Sequence, residues 1–454
     1  MALNIKRSIF AAWQEYQGLG LIGGMGYASD LPRQLFILLL NNFFPDNWLR
    51  QLYFFLMLLL GPLGVYFLLN KIIIKQKFVS LMGALFYILN LATIQTFYTP
   101  FSSFVTHFAF LPWLFLTAFL YLEKPNLKSA FFFLLVNIAA IPQGYVPTVF
   151  FVYLGALILS LSISSHLQKI NWKRPLKIIF ATLFINAFWL LPFLFFTLTN
   201  AQVTVDSKIN QMTTENYFLQ NKQFGTLFDV PLLKGFWFAY TDYDKDGNLT
   251  YLLGNWRNHL MNPFVAAIGY FFFIVVISGI VYVIKSKNPF RYPLLLLFLL
   301  SFTFLASSTP PFSWIDSFLY RFPFISQALR SPFTKFSILA AFSFSIFFAF
   351  GLLWLKKLNL KLQSLIFSLL ALLLIIFVLP AFGGNLFYNH LKVEIPSEYQ
   401  SLQKFFKTQN PNMRIANFPQ FTFWGWNFYR WGYDGSGFQW YGIEQPILDR
   451  AFDV

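Results

Sequence analysis

Residues 129–165 read SAFFFLLVNIAAIPQGYVPTVFFVYLGALILSLSISS, 37 positions without one acidic or basic side chain. A membrane-crossing helix needs about 20 apolar residues, so the stretch is too long for one span and slightly short for two. Its centre, Pro142-Gln143-Gly144-Tyr145-Val146-Pro147, breaks helix, because each proline lacks an N–H and clashes with the preceding turn. Lys128 lies before the stretch; Lys169, Lys173 and Arg174 lie after it. If both basic flanks face the same side, the crossings between them are even in number. The stretch is therefore read as two short spans, 129–144 and 146–164, joined by a tight turn.

The same reading extends in both directions. Charge-free apolar runs near 51–70, 78–96, 104–122, 176–198, 263–284, 292–308, 332–355 and 362–380 complete a set of about ten spans. The 454 residues are 57% hydrophobic and 11% charged, whereas a soluble globular protein carries roughly 25% charged residues. No compact core could bury so much apolar surface, so lipid must solvate part of it. The expected fold is an all-α polytopic membrane protein of about ten transmembrane helices, with external loops and a partial external C-terminal domain. The helical domain is placed at 51–380.

Charge placement orients the spans. Alternate linkers hold Lys71, Lys75 and Lys77; Lys124 and Lys128; Lys169, Lys173, Arg174 and Lys177; Lys285, Lys287 and Arg291; Lys356, Lys357 and Lys361, with Glu123 as the one acid among them. Linkers 97–103 and 142–147 hold no basic residue. Short cytoplasmic loops are enriched in Lys and Arg, so the basic set is assigned to the cytoplasm. Segments 1–50, 199–262, 309–331 and 381–454 are then external, which makes this a multi-pass plasma-membrane protein with both termini of the chain outside. The net charge of +16 follows from these linkers and from lipid headgroup contact, not from a nucleic-acid surface. Without cysteine, disulfide and thiolate chemistry are excluded. The first 50 residues must cross with no apolar leader before them, and 446–454 end without a closing element, so a longer protein is expected.

Away from their end turns, the spans contain no Asp, Glu, Lys or Arg, and His107 is the one ionisable side chain at depth. Ion-coupled transport and proton pumping need intramembrane charges, so both are disfavoured. A lipid or glycan flippase would need a polar groove that few residues here could line. Chemistry is expected at the external membrane surface. His107 is read as a packed, hydrogen-bonded residue or one near the interface.

Four segments hold candidate residues. Leu329-Arg330-Ser331-Pro332-Phe333-Thr334-Lys335-Phe336 opens the ninth span, with Ser331 as N-cap and Pro332 in the first turn. Arg330 and Lys335, with Arg321 nearby, join the positive helix end and could hold a phosphate of a lipid carrier; headgroup snorkelling explains them equally. Asp242-Tyr243-Asp244-Lys245-Asp246-Gly247-Asn248 resembles the opening of a calcium loop, with Asp242, Asp244, Asp246 and Asn248 as ligands for calcium or another divalent cation. The twelfth position is Leu253, not Glu, and an Asp-Gly hairpin turn is the competing reading. Trp256, Arg257 and His259 precede the seventh span as sugar or phosphate contacts, or as an interfacial belt. In the tail, Trp424, Trp426, Trp431 and Trp440 offer faces for sugars or a core for the external domain, with Asp434 and Asp449 among them. Residues 397–407 are expected to form an amphipathic helix, 413–418 a strand, and 34–44 an interfacial helix.

The N-terminal Ala12-Trp13, Gly18 and Ser29-Asp30-Leu31-Pro32-Arg33, the 329–336 motif, and the segment Trp424-Gly425 through Trp431-Gly432-Tyr433-Asp434-Gly435 to Pro446-Ile447-Leu448-Asp449-Arg450 together resemble bacterial membrane proteins related to GT-C glycosyltransferases, arabinofuranosyltransferase-like and YfhO-like. The resemblance covers most of the chain in layout, through short motifs. It implies transfer of a sugar from a polyprenyl-phosphate donor to a cell-envelope glycan. It also implies a catalytic carboxylate in the first external loop, where Glu15 and Asp30 are the candidates. The alternative is a non-catalytic polytopic protein assisting envelope-polymer assembly. Expected partners are membrane lipid, the polyprenyl-phosphate-linked sugar and the glycan acceptor, with no nucleic acid.

Overall fold

The computed structural model describes residues 2–10, 12–15, 20–22, 26–206, 208–243, 248–353, 360–391, 393–418, 427–429, 431–435 and 438–448. Its helices are α1 (Ala2–Ile9), α2 (Leu31–Leu40), α3 (Asp46–Leu68), α4 (Lys77–Ile88), α5 (Leu91–Tyr98), α6 (Ser102–Glu123), α7 (Leu127–Ala140), α8 (Pro147–Leu167), α9 (Lys173–Thr199), α10 (Ala201–Asp206), α11 (Lys208–Gln223), α12 (Gly254–Leu260), α13 (Pro263–Lys285), α14 (Arg291–Leu305), α15 (Phe312–Leu319), α16 (Pro323–Leu329), α17 (Pro332–Leu352), α18 (Leu360–Phe377) and α19 (Ser397–Lys407). Among the described residues strands occur as four short pairs, including β1 (Trp13–Gln14) against β2 (Leu21–Ile22) and β3 (Thr241–Tyr243) against β4 (Leu249–Tyr251).

Among the described residues, eight helices are long and apolar enough to cross a membrane. The bent pair α4–α5 and the 15-residue α14 occupy the other two expected positions. The 129–165 stretch does form two helices, separated by a 3-10 turn at Ile141–Tyr145. It has room because α7 starts at Leu127 and α8 runs to Leu167, using flanking residues on both sides. The expected helix at 78–96 is corrected: it breaks by 45°. Asn90 is the cause. Its Oδ1 accepts the Thr93 N–H at 3.1 Å and its Nδ2 donates to the Phe86 and Tyr87 carbonyls, so one side chain ends α4 and caps α5.

With the bent pair and α14 each counted as a crossing, successive helices alternate in direction and give the bundle two faces. On one face Asn288 donates to the Ile73 carbonyl and Arg174 to that of Leu122; by chain order the described basic linker residues belong to this basic face, while Lys356 and Lys357 lie outside the described residues. On the opposite, loop face, Tyr388 N–H reaches the Tyr98 carbonyl and Ser308 N–H that of Gly225. There the chain's distant segments also meet. Lys6 pairs with Glu444 at 2.7 Å, Arg7 donates to the carbonyls of Trp440 and Ile443, and Arg414 pairs with Glu15.

Packing divides the helices by neighbour. The apolar window of α17 is wholly buried, and its phenylalanines stack on α4, α6 and α14. By contrast, α9 turns Phe180, Phe184, Leu191 and Phe195 outward, the surface that hydrocarbon covers. The axis of the bundle is the crossing of α13 and α17. A Cβ on Gly279 would stand 1.8 Å from the Phe347 carbonyl oxygen, and one on Gly351 2.2 Å from that of Val275. Small residues are what let two helix backbones approach this closely in lipid.

Two measurements check these points. Replacing Gly279 by Leu forces the axis apart, and since overpacking costs about 1–3 kcal/mol or more, the detergent-solubilised protein is expected to lose thermal stability, while Gly155→Ala, which meets nothing within 4 Å, leaves it unchanged. The native chain has no cysteine, so single-cysteine labelling is clean: an impermeant maleimide on intact cells is expected to modify Thr250→Cys and spare Lys124→Cys, and the opposite pattern would invert the orientation.

Candidate functional site

On the loop face, α17 begins where the sequence motif places it, but its cap is another residue. The Ser331 side chain makes no capping hydrogen bond. Instead Asn221 of α11 accepts the Phe333 N–H at 3.3 Å and shares a hydrogen bond with the Ser331 hydroxyl. Ser331, Pro332 and Phe333 are buried, so the helix start is closed over rather than open, and the expected Ser331 cap is corrected to Asn221. The donor and its cap lie 112 residues apart, beyond the reach of a local motif.

The two cations remain at this helix start. Arg330 is half-buried, its guanidinium carbon 5.9 Å from the Tyr217 ring. Burial lowers its pKa, and Tyr217 opposes that shift. Lys335 Nζ bonds Thr334 Oγ1 at 3.0 Å and lies close enough to Arg330 to feel its charge. Among the described residues no carboxylate comes within ion-pair distance of Lys335. Arg321 is exposed in the turn between α15 and α16, with no side-chain polar contact among the described residues. Beneath that turn Asp316 is buried, and its carboxyl is pushed up to about 6 by burial, with Lys222 pulling the other way.

The described flanks of the 242–248 segment are the paired strands β3 and β4, not helices. Asp242 Oδ2 accepts the Tyr388 hydroxyl at 2.5 Å, and its Oδ1 accepts the Tyr243 N–H at 2.8 Å. Asn248 is exposed; Asp244 and Asp246 lie outside the described residues.

Trp256 is fully buried, its indole N–H donating to the Asn385 carbonyl. That corrects both expectations for it, since it offers a face neither to a substrate nor to the interface. Arg257 lies 3.8 Å over the Tyr251 ring and donates to the Phe238 carbonyl, and His259 Nε2 meets the Ile376 carbonyl at 2.9 Å. These three residues tie the hairpin to the ends of the spans.

The two candidate carboxylates differ. Asp30 is buried at the start of α2, where Arg33 grips both its oxygens at 2.6 Å and Gln34 adds a bond at 2.8 Å. Arg33 also sits 5.9 Å from the Tyr53 ring, whose hydroxyl meets Thr106. Glu15 is exposed and holds Trp13 and Arg414. His107 is buried and bonds Gln143 at 2.7 Å. In the C-terminal region Tyr399, Trp431, Tyr433 and Phe438 pack on one another; Trp424, Trp426 and Asp449 lie outside the described residues.

No family model and no curated protein matches the sequence. The fold matches a solved structure, the single-particle cryo-EM structure of arabinofuranosyltransferase AftD from Mycobacteria, with a TM-score of 0.55 and 14% identity over 99% of this chain and 29% of that one. The likeness is one of fold: a polytopic helical membrane architecture is shared from end to end. The chain spans about three-tenths of that protein's length.

Losing an N-cap costs about 0.5–2 kcal/mol. Asn221→Ala is therefore expected to lower the melting temperature of the solubilised protein, and Ser331→Ala to lower it less; equal effects would assign the cap to both.

Proposed function

We propose that this chain is a GT-C-type membrane glycosyltransferase that moves a sugar from a polyprenyl-phosphate donor to a cell-envelope glycan at the loop face. The supporting observation is the fold it shares, over 99% of its length, with a mycobacterial arabinofuranosyltransferase. The cation pair at the start of α17 supports it in chemistry. As the acceptor oxygen bonds to the anomeric carbon, the bond from that carbon to the phosphate oxygen breaks, and its electron pair leaves on polyprenyl phosphate. Arg330 and Lys335 stabilise that charge. The acceptor hydroxyl passes its proton to a carboxylate acting as general base. Asp30, held at the loop end of the bundle, takes that role ahead of the exposed Glu15.

A second reading has its own observation. Both oxygens of Asp30 are engaged by Arg33 and Gln34, and Glu15 is engaged by Trp13 and Arg414, which suits a non-catalytic protein that assists envelope-polymer assembly.

The test is binding and transfer in lipid nanodiscs. Charge-assisted hydrogen bonds contribute about 1.5–3 kcal/mol, so R330A/K335A is expected to bind polyprenyl monophosphate at least about tenfold more weakly; unchanged binding sinks the phosphate role. Asp30→Asn is expected to keep carrier binding and lose transfer. A wild-type protein that binds carrier yet transfers no sugar would favour the second reading.

A further inference from the structure

The two faces of the bundle treat their charges differently. The ion pairs among the described residues are Lys6–Glu444, Arg33–Asp30, Lys234–Asp229 and Arg414–Glu15, and all four lie in segments of the loop face. On the basic face no lysine or arginine has a carboxylate partner among the described residues. Arg174 and Arg291 reach only the carbonyls of Leu122 and Ser286, with the Arg291 guanidinium also against the Tyr292 ring.

Three lysines of this face gather around one junction. Asn288 Nδ2 donates to the Ile73 carbonyl at 3.0 Å, and Gln168 Nε2 donates to the Pro289 carbonyl at 3.4 Å. Phe290 is buried, its ring centroid 4.7 Å from that of Phe119. The linkers that follow α3, α8 and α13 are thereby tied together at residues 288–290. Lys75 lies two positions from Ile73, Lys169 follows Gln168, and Lys287 precedes Asn288; all three are exposed. Lys75 has a φ of 62° and Lys169 a φ of 53°. Glycine is the usual residue in that left-handed region at a helix end, because a Cβ is strained there. Backbone geometry does not ask for lysine at either position, so the reason for it lies in the ammonium group.

Each of these lysines also has an exposed apolar side chain three residues away: Phe78 for Lys75, Trp172 for Lys169 and Ile284 for Lys287. The linkers, 74–76, 168–172 and 286–290, are too short to rise clear of the membrane surface. Cations beside exposed apolar groups match a surface in which phosphates and acyl chains lie side by side. An acidic soluble protein would answer the cations and leave Phe78, Trp172 and Ile284 facing water.

We infer that this junction binds an anionic phospholipid, its phosphate on Lys75, Lys169 and Lys287 and its acyl chains against Phe78, Trp172 and Ile284. The site lies on the face opposite the candidate transfer site, and the inference holds whether or not the chain transfers a sugar.

The experiment follows the melting temperature of the detergent-solubilised full chain. Dioleoyl phosphatidylglycerol is expected to raise it by about 2 °C or more, because a ligand of the folded state stabilises by mass action. Phosphatidylcholine with the same chains, and inorganic phosphate, are expected to leave it unchanged. K75G/K169G places glycine where the backbone favours it, so the lipid-free protein should melt no lower than wild type while most of the phosphatidylglycerol shift is lost. Lys287→Ala is expected to weaken the shift independently, and Lys6→Ala on the loop face to leave it intact. Equal shifts with the two lipids, or an undiminished shift in both basic-face variants, overturns the site. A shift reproduced by inorganic phosphate assigns the junction to a free anion and overturns the lipid. Stabilisation by poly-L-glutamate without any by phosphatidylglycerol overturns it in favour of an acidic protein.

Discussion

Hydrocarbon offers no hydrogen-bond partner to a backbone, so every N–H and C=O inside the bilayer must be satisfied by the chain itself. At three places where the backbone of this bundle stops, bends or turns, a side-chain amide takes the place of water. Asn90 closes α4 and opens α5. Gln95 donates to the Leu233 carbonyl and accepts the Gly235 N–H, holding a turn in which Leu233 adopts a φ of 56°. Asn221 caps α17 from another helix. The loop face is built outward from these amides, and the candidate site stands directly on the last of them.

The spans were legible because their signal is local. A run of apolar residues ended by Lys or Pro states its own length, and the helix at 397–407 has the bounds its pattern indicates. The break at Asn90 was missed because an Asn inside an apolar run reads as a tolerated polar residue until its partners are seen. Trp256 was misread for a related reason: a tryptophan beside Arg and His next to a span has the composition of an interfacial belt, and only the Asn385 carbonyl, 129 residues away, shows that it is core. The cations at 330 and 335 could be read from a motif, whereas Tyr217 and Asn221 could not. Each is an ordinary residue in its own segment, and its role exists only where α11 meets the start of α17.

The electrostatics of the site follow from its depth. Arg330, Asp316 and Tyr240 all titrate away from their ordinary values, and burial is the leading cause in each. A partly desolvated setting strengthens the attraction between fixed cations and a phosphate, because less water competes. It also raises the cost of leaving either side unmatched.

The ion pairs joining residues 6 and 444, and 15 and 414, bear on biogenesis. A ribosome delivers residue 6 long before residue 444, with ten hydrophobic helices between them. The first segment therefore waits, without these partners, until the whole bundle has been threaded through the membrane. Closure of the loop face reports that every crossing has been made, and a chain with one helix inserted backwards would present its late segment on the wrong side of the lipid.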